Sequence, residues 1–275
     1  MTLEPNSTHY GDDLEPDLTI LPGWKGADAT TRVKIVDAAK RYVLEQDPET
    51  HKWLGTNILY RPAYAGYRAL YLLLREDTTF VSVIPADIWK KWASLILDYQ
   101  IPNVRGEELH RKLVKMAYDN APDEIIESLK VLIDKENREF NSIFITQKLE
   151  DCWDARLENA LLIKTKERQL KSECMGCLLS DLLDHGVGDA RVLAESLIPL
   201  PPPTNGEPRS RAIIAARVLM THAKDEGWSV VWPAIVQDYQ FGREVMSALT
   251  DYWEMDGTFS QRLTIACPEI PQAFD

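Results

Sequence analysis

From Ala29 onward, apolar residues return at steps of three and four with polar residues between them, the spacing that turns one side of an α-helix toward a core. In "TTRVKIVDAAKRYVLEQD" the series is Val33, Val36, Ala39/Lys40 and Val43/Leu44, and it stops at "QDPET". A second helix is predicted over "YRPAYAGYRALYLLLRED", Tyr60 to Asp77, with Pro62 tolerated in its first turn, where the missing amide has no intrahelical acceptor. "SVIPADIWKKWASLILDYQ" again carries a proline at its start. Further helices follow from Leu109, Leu113 and Met116/Ala117, then from Ile125/Ile126, Leu129 and Leu132/Ile133, with "AP" at 121–122 forcing a tight corner. Helical patterns continue at about 147–163, 166–184, 188–198, 209–225, 229–239 and 241–255. Only "FVSVI" and "SIFIT" are β-prone, and both are flanked by helical signals, so the expected class is all-α.

The punctuation between helices sets the expected domains. Residues 1–28 mix Pro, Gly and acidic residues without a period and read as an irregular lead-in. A helical-repeat domain is expected over 29–198, a stiff, exposed Pro-rich linker over 199–211 around "PLPPPTNGEPRSR", and a second helical part over 212–275.

An internal repeat sharpens the architecture. Aligning Trp92 with Trp232 superposes "WASLILDYQ" on "WPAIVQDYQ", so that Trp, Asp, Tyr and Gln coincide and Leu95/Ile96 lie over Ile235/Val236. Upstream, "YRALYLLLRED" matches "ARVLMTHAKDEG" loosely, with a longer connection in the first copy; downstream, "GEELHRKLVKMAY" and "GREVMSALTDYW" share a helical pattern. A unit of two or three helices cannot bury its apolar face alone, and stacked neighbours supply the missing contacts. The expectation is an α-solenoid of stacked helical hairpins of the HEAT/armadillo kind, the alternative being one irregular helical domain with a duplicated element. Trp89 and Trp92, and Trp228 and Trp232 in the second copy, are expected as buried anchors between helices, the alternative being a partner hot spot.

In the helix from Tyr60, the tyrosines at 60, 64, 67 and 71 fall within an arc of roughly 60°, with Arg61, Arg68 and Arg75 in a neighbouring stripe. Arginine offers a planar fork of donors and tyrosine an aromatic face, so Arg61, Arg68, Arg75, Tyr60, Tyr64, Tyr67 and Tyr71 are candidate partner-binding residues for an acidic or phosphorylated ligand. Most of the remaining circumference is apolar, however, and Ala63, Gly66 and Ala69 permit close approach of another helix. The stripe therefore reads first as an inner helix, its tyrosines at the edge of the core and its arginines reaching solvent or acidic neighbours.

Composition narrows the function classes. The 275 residues are 45% hydrophobic and 27% charged, enough for a sizeable core, and the net charge of −12 opposes general nucleic-acid or anionic-membrane binding. No apolar run approaches the ~20 residues of a bilayer span, and the scattered Cys152, Cys174, Cys177 and Cys267 suit a reducing cytoplasm. No glycine-rich phosphate loop and no nucleophile elbow occurs. Cys174-x-x-Cys177 lacks a second pair, and the histidines show no ligand spacing, so neither metal, cofactor nor catalysis is expected. Carboxylate pairs such as Asp12/Asp13, Glu107/Glu108 and Glu254/Asp256 read as solvated faces and helix N-termini.

"AGYRALYLLLRED", "IPADIWKKWASLILDYQ", "LHRKLVKMAYDNAPDEIIESLKVLIDKEN" and "KLEDCWDARL" together resemble the helical-repeat region that follows the NTPase module in large bacterial STAND (NACHT-type) proteins. The resemblance runs from about Gly55 to Leu157. In that family stacked helices recognise a trigger, frequently a phage component, and the NTPase oligomerises to activate an effector. The resemblance implies a protein-binding sensor or scaffold role, as in antiviral defence, without carrying over any catalytic residue. An all-α enzyme with a site in a groove beside the Tyr/Arg stripe, or a structural spacer, are the alternatives.

Overall fold

The computed structural model describes residues 6–7, 15–100 and 106–256. The lead-in and the last helical part extend beyond these residues, and Asp12, Asp13 and Cys267 lie outside them. The fold is all-α apart from a two-residue antiparallel pairing of β1 (Asn6–Ser7) with β2 (Leu59–Tyr60). Its helices are α1 (Pro22–Lys25), α2 (Ala29–Glu45), α3 (Arg61–Glu76), α4 (Thr78–Ser82), α5 (Ala86–Asp98), α6 (Glu107–Asn120) and α7 (Pro122–Glu139), followed by α8 (Ala155–Thr165), α9 (Ser172–Asp184), α10 (Gly188–Ser196), α11 (Gly206–His222), α12 (Lys224–Gln237) and α13 (Tyr239–Asp256). No helix among the described residues is long and apolar enough to cross a membrane.

Local chemistry accounts for the first helices. Asp28 caps α2 by accepting from the Thr31 amide at 2.7 Å, Pro62 occupies the first turn of α3, and Pro85 precedes α5. Buried Ala121 is the single residue between α6 and α7, at the tight corner expected there. "FVSVI" does not pair as a strand; Phe80, Val81 and Ser82 lie in α4, whose N-terminus Asp77 caps at 3.0 Å through the Phe80 amide.

Two expected helices are shortened by hydrogen bonds from distant side chains. The pattern at 147–163 divides into a 3-10 segment, Ile145–Cys152, and α8. Glu136 accepts from the Phe144 and Ile145 amides at 2.8 and 3.1 Å, Lys148 Nζ donates to the carbonyls of Leu97 and Tyr99, both at 2.9 Å, and Asp154 accepts from the Tyr118 hydroxyl at 2.6 Å. The pattern at 166–184 becomes helical only from Ser172, because Arg211 gathers the carbonyls of Glu167, Arg168 and Leu170 into a non-helical turn.

The chain divides into two compact units, one comprising residues 1–139 and 144–154, the other 140–143 and 155–275. In the first, α3 packs on α2, α5 and α6, and α5 packs on α6 and α7. Leu70, Leu72, Leu73 and Leu74 of α3 join Leu95, Ile96 and Leu97 of α5 in its core, each worth about 1.5–3 kcal/mol of apolar burial. In the second, α11 packs on α9, α10, α12 and α13.

The Pro-rich segment lies inside this second unit. Its irregular part ends at Asn205, where α11 begins, and Arg209, expected on an exposed linker, is buried. Its guanidinium donates to Glu244 Oε2 at 2.6 Å, Asp238 Oδ2 at 2.9 Å and the Pro203 carbonyl at 2.8 Å, and lies 5.6 Å from the Phe241 ring centroid. The segment is thereby tied to α13 instead of spacing two domains.

Candidate interaction surfaces

The Tyr/Arg stripe of α3 is turned largely inward. Tyr67 and Tyr71 are buried, and Tyr60 and Tyr64 are half-buried. Tyr60 donates its hydroxyl to Glu49. Tyr67 stacks on Tyr99 at 3.6 Å between centroids, with Tyr64 on the same ring at 5.0 Å, and Tyr71 lies 6.3 Å from Tyr67. Arg61 and Arg68 are half-buried, whereas exposed Arg75 pairs with Asp17.

Gly66 explains how a helix this crowded packs. A side-chain carbon there would overlap the Trp92 indole, so α5 approaches α3 only because the position is glycine. Trp92 Nε1 donates to the Val43 carbonyl at 2.9 Å, which joins α2 to the same contact.

Beneath Tyr99 lies a polar layer that the histidine spacing did not reveal. The Tyr67 hydroxyl and His110 Nδ1 are 2.7 Å apart, both side chains buried. Burial pushes the His110 imidazole down to about 3 and holds the Tyr67 hydroxyl well above its usual range. His110 is therefore neutral at physiological pH and serves the core as a hydrogen-bonding group. Lys148 is lowered to about 8 by desolvation, against the pull of Asp98, whose own carboxyl desolvation raises.

Cys152 and Cys174 sit as small apolar groups. Both are buried, and burial pushes the Cys152 thiol up to about 12, where little thiolate forms. Among the described residues no group of three or more His, Cys, Asp or Glu is placed to hold a metal ion.

Three surface features remain open to partners. On α12, Trp232 and Val236 stand one turn apart and are 39% and 69% exposed; Tyr239, at the start of α13, is 68% exposed. Trp228 is half-buried, its ring 6.4 Å from that of Trp232. In the first unit a groove of about 760 Å³ runs along α6, lined by Glu107, Glu108, Leu109, Arg111, Lys112, Lys115, Met116 and Asp151. A pocket of about 350 Å³ shares Lys112 and Met116 with it and is otherwise walled by Leu74, Thr78, Thr79 and Ser82.

Of the expected Trp anchors, Trp89 and Trp92 are buried, and Trp228 and Trp232 are not. The corner preceding α12 could have signalled this. Only Ala223 separates α11 from α12, and a side-chain carbon at Gly227 would overlap the Leu219 carbonyl, so α12 is drawn against the end of α11. No family model matches the chain, and neither a curated protein nor a solved structure shows significant similarity to it.

Proposed function

We propose that the chain is a protein-binding helical-repeat module, built as a solenoid of stacked hairpins, that serves as the sensor or scaffold region of a STAND-type NTPase system in antiviral defence. The observation that carries the binding role is the exposed line of Trp232, Val236 and Tyr239. Large aromatic and branched side chains lined up in solvent cost about 25 cal/mol per Å² of apolar surface, and contiguous patches of this kind mark interaction sites. Aromatic residues also dominate the affinity of protein interfaces. Support for the sensor assignment comes from the resemblance over Gly55 to Leu157 and from the paired helices of each unit.

The test is affinity capture from host lysate, with and without phage infection, comparing the unaltered chain with a Trp232→Ala/Val236→Asp variant. The expected result is a protein retained by the first and lost from the second, while both chains keep the same helical circular dichroism. Equal retention of every captured protein by both would overturn the assignment of this face.

A further inference from the structure

Some cations of the first unit are held by carboxylates, while others, such as Lys34 and Arg41, make no ion pair among the described residues. Lys40 pairs with Asp77 at 2.7 Å, Lys115 with Asp119 at 2.6 Å, Lys130 with Glu127 at 2.7 Å and Arg75 with Asp17. Arg111 and Lys112, adjacent and exposed on α6, make no ion pair and no side-chain hydrogen bond among the described residues. Lys112 stands at the mouth of the 350 Å³ pocket, which no carboxylate lines. The floor of that pocket is apolar, from Leu74 and Met116, and its rim carries hydroxyls; Ser82 Oγ is committed to the Thr79 carbonyl at 2.8 Å, leaving those of Thr78 and Thr79. In a chain of net charge −12, a pocket with a cation and no anion is a local departure from the surface around it.

We propose that this pocket and the adjoining shelf of α6 dock an acidic segment of a partner protein in which carboxylates alternate with apolar side chains. One carboxylate pairs with Lys112 and accepts from the Thr78 or Thr79 hydroxyl, an apolar neighbour covers Leu74 and Met116, and a second carboxylate reaches Arg111. Glu107 and Glu108, one turn before Arg111 and Lys112 on α6, and Asp151 repel further carboxylates and so fix the direction in which the segment lies. The acidic-ligand chemistry expected of the α3 arginines is thereby assigned to α6, where the cations are free. The inference rests on the reading of the chain as a protein-binding module but uses a surface separate from the α12 line.

Fluorescence polarisation with three labelled peptides tests it: one alternating Glu and Leu, its Gln/Leu counterpart and its Lys/Leu counterpart, with a labelled single-stranded RNA of similar length as a fourth probe. The Glu/Leu peptide is expected to bind most tightly, to weaken with added salt, and to lose about tenfold in Kd with Lys112→Glu, because reversal exchanges an attraction for a repulsion. Arg111→Glu should weaken it less, and Lys34→Glu, the same charge change on exposed α2, should not matter. Equal binding of the Glu/Leu and Gln/Leu peptides, equal loss with Lys34→Glu, or tighter binding of the RNA would overturn the proposal. Trp232→Ala is expected to leave peptide binding unchanged, which separates failure of this site from failure of the α12 face.

Discussion

Trp92 and Trp232 open stretches of sequence that share Trp, Asp, Tyr and Gln, yet the first indole is 1% exposed and the second 39%. The same divergence recurs at the tyrosine and at the aliphatic pair, while Gln100 and Gln240 are both exposed. Tyr99 is buried in a stack on Tyr67, whereas Tyr239 is 68% exposed; Leu95 and Ile96 are core, whereas Val236 is 69% exposed. Asp98 is half-buried near Lys148, whereas Asp238 caps α13 by accepting from the Phe241 amide at 3.0 Å and pairs with Arg209. The difference lies in what precedes each helix. Between α3 and α5 the chain inserts α4 and the Val83–Pro85 connection, room enough for α5 to lay Trp92 against Gly66 and α2. Between α11 and α12 there is only Ala223, and the tight approach at Gly227 fixes α12 with Gly227, Val231 and Ala234 inward and Trp232 outward. Two helices thus share a sequence pattern while the connection before each decides which face becomes core.

The largest effect that separates the two regions is expected at the tryptophans. Trp92→Ala should cost about 3–5 kcal/mol, because it removes a buried indole and leaves a cavity beside Gly66, while Trp232→Ala should change stability by no more than about 0.5 kcal/mol. Urea denaturation of both variants checks the pair, and similar losses would break the comparison. Gly66→Leu tests the same contact from α3; overpacking against the indole should cost about 1–3 kcal/mol.

A subtler test concerns the polar layer beneath Tyr99, where the Tyr67 hydroxyl meets buried His110. Folding lowers the His110 pKa from 6.5 to about 3, so between those values the unfolded chain binds the proton and the folded chain does not. The stability this neutral imidazole contributes is full above pH 6.5 and is lost as pH falls toward 3, with a slope of at most about 1.4 kcal/mol per pH unit. His110→Gln, which keeps a hydrogen-bonding group for Tyr67, should flatten that part of the stability profile. Denaturant unfolding at intervals from pH 7 to pH 4 measures it, and an unchanged slope in the variant would contradict the burial of His110.

What could be read in advance follows the range of the forces involved. The starts of α3 and α5 were legible because Pro62 and Pro85 act within a turn of where they sit. The turn at 166–171 was not, since Arg211 imposes it from more than forty residues away. For the stripe, Ala63, Gly66 and Ala69 already pointed to an inner helix, and Arg75 does reach an acidic neighbour in Asp17. The α12 face was misjudged as an anchor because amphipathic spacing cannot show how a one-residue corner rotates the next helix. Arg111 and Lys112 were visible as polar positions on α6, but their lack of ion-pair partners depends on three-dimensional neighbours and could not be read from spacing.

The divergence of the two matching stretches is tested most directly by hydroxyl-radical footprinting of the whole chain, with oxidation read by mass spectrometry at Trp92, Tyr99, Trp232 and Tyr239. Rapid modification of Trp232 and Tyr239 with protection of Trp92 and Tyr99 is the expected result. Equal protection at Trp92 and Trp232, or faster oxidation at Trp92, would contradict the account.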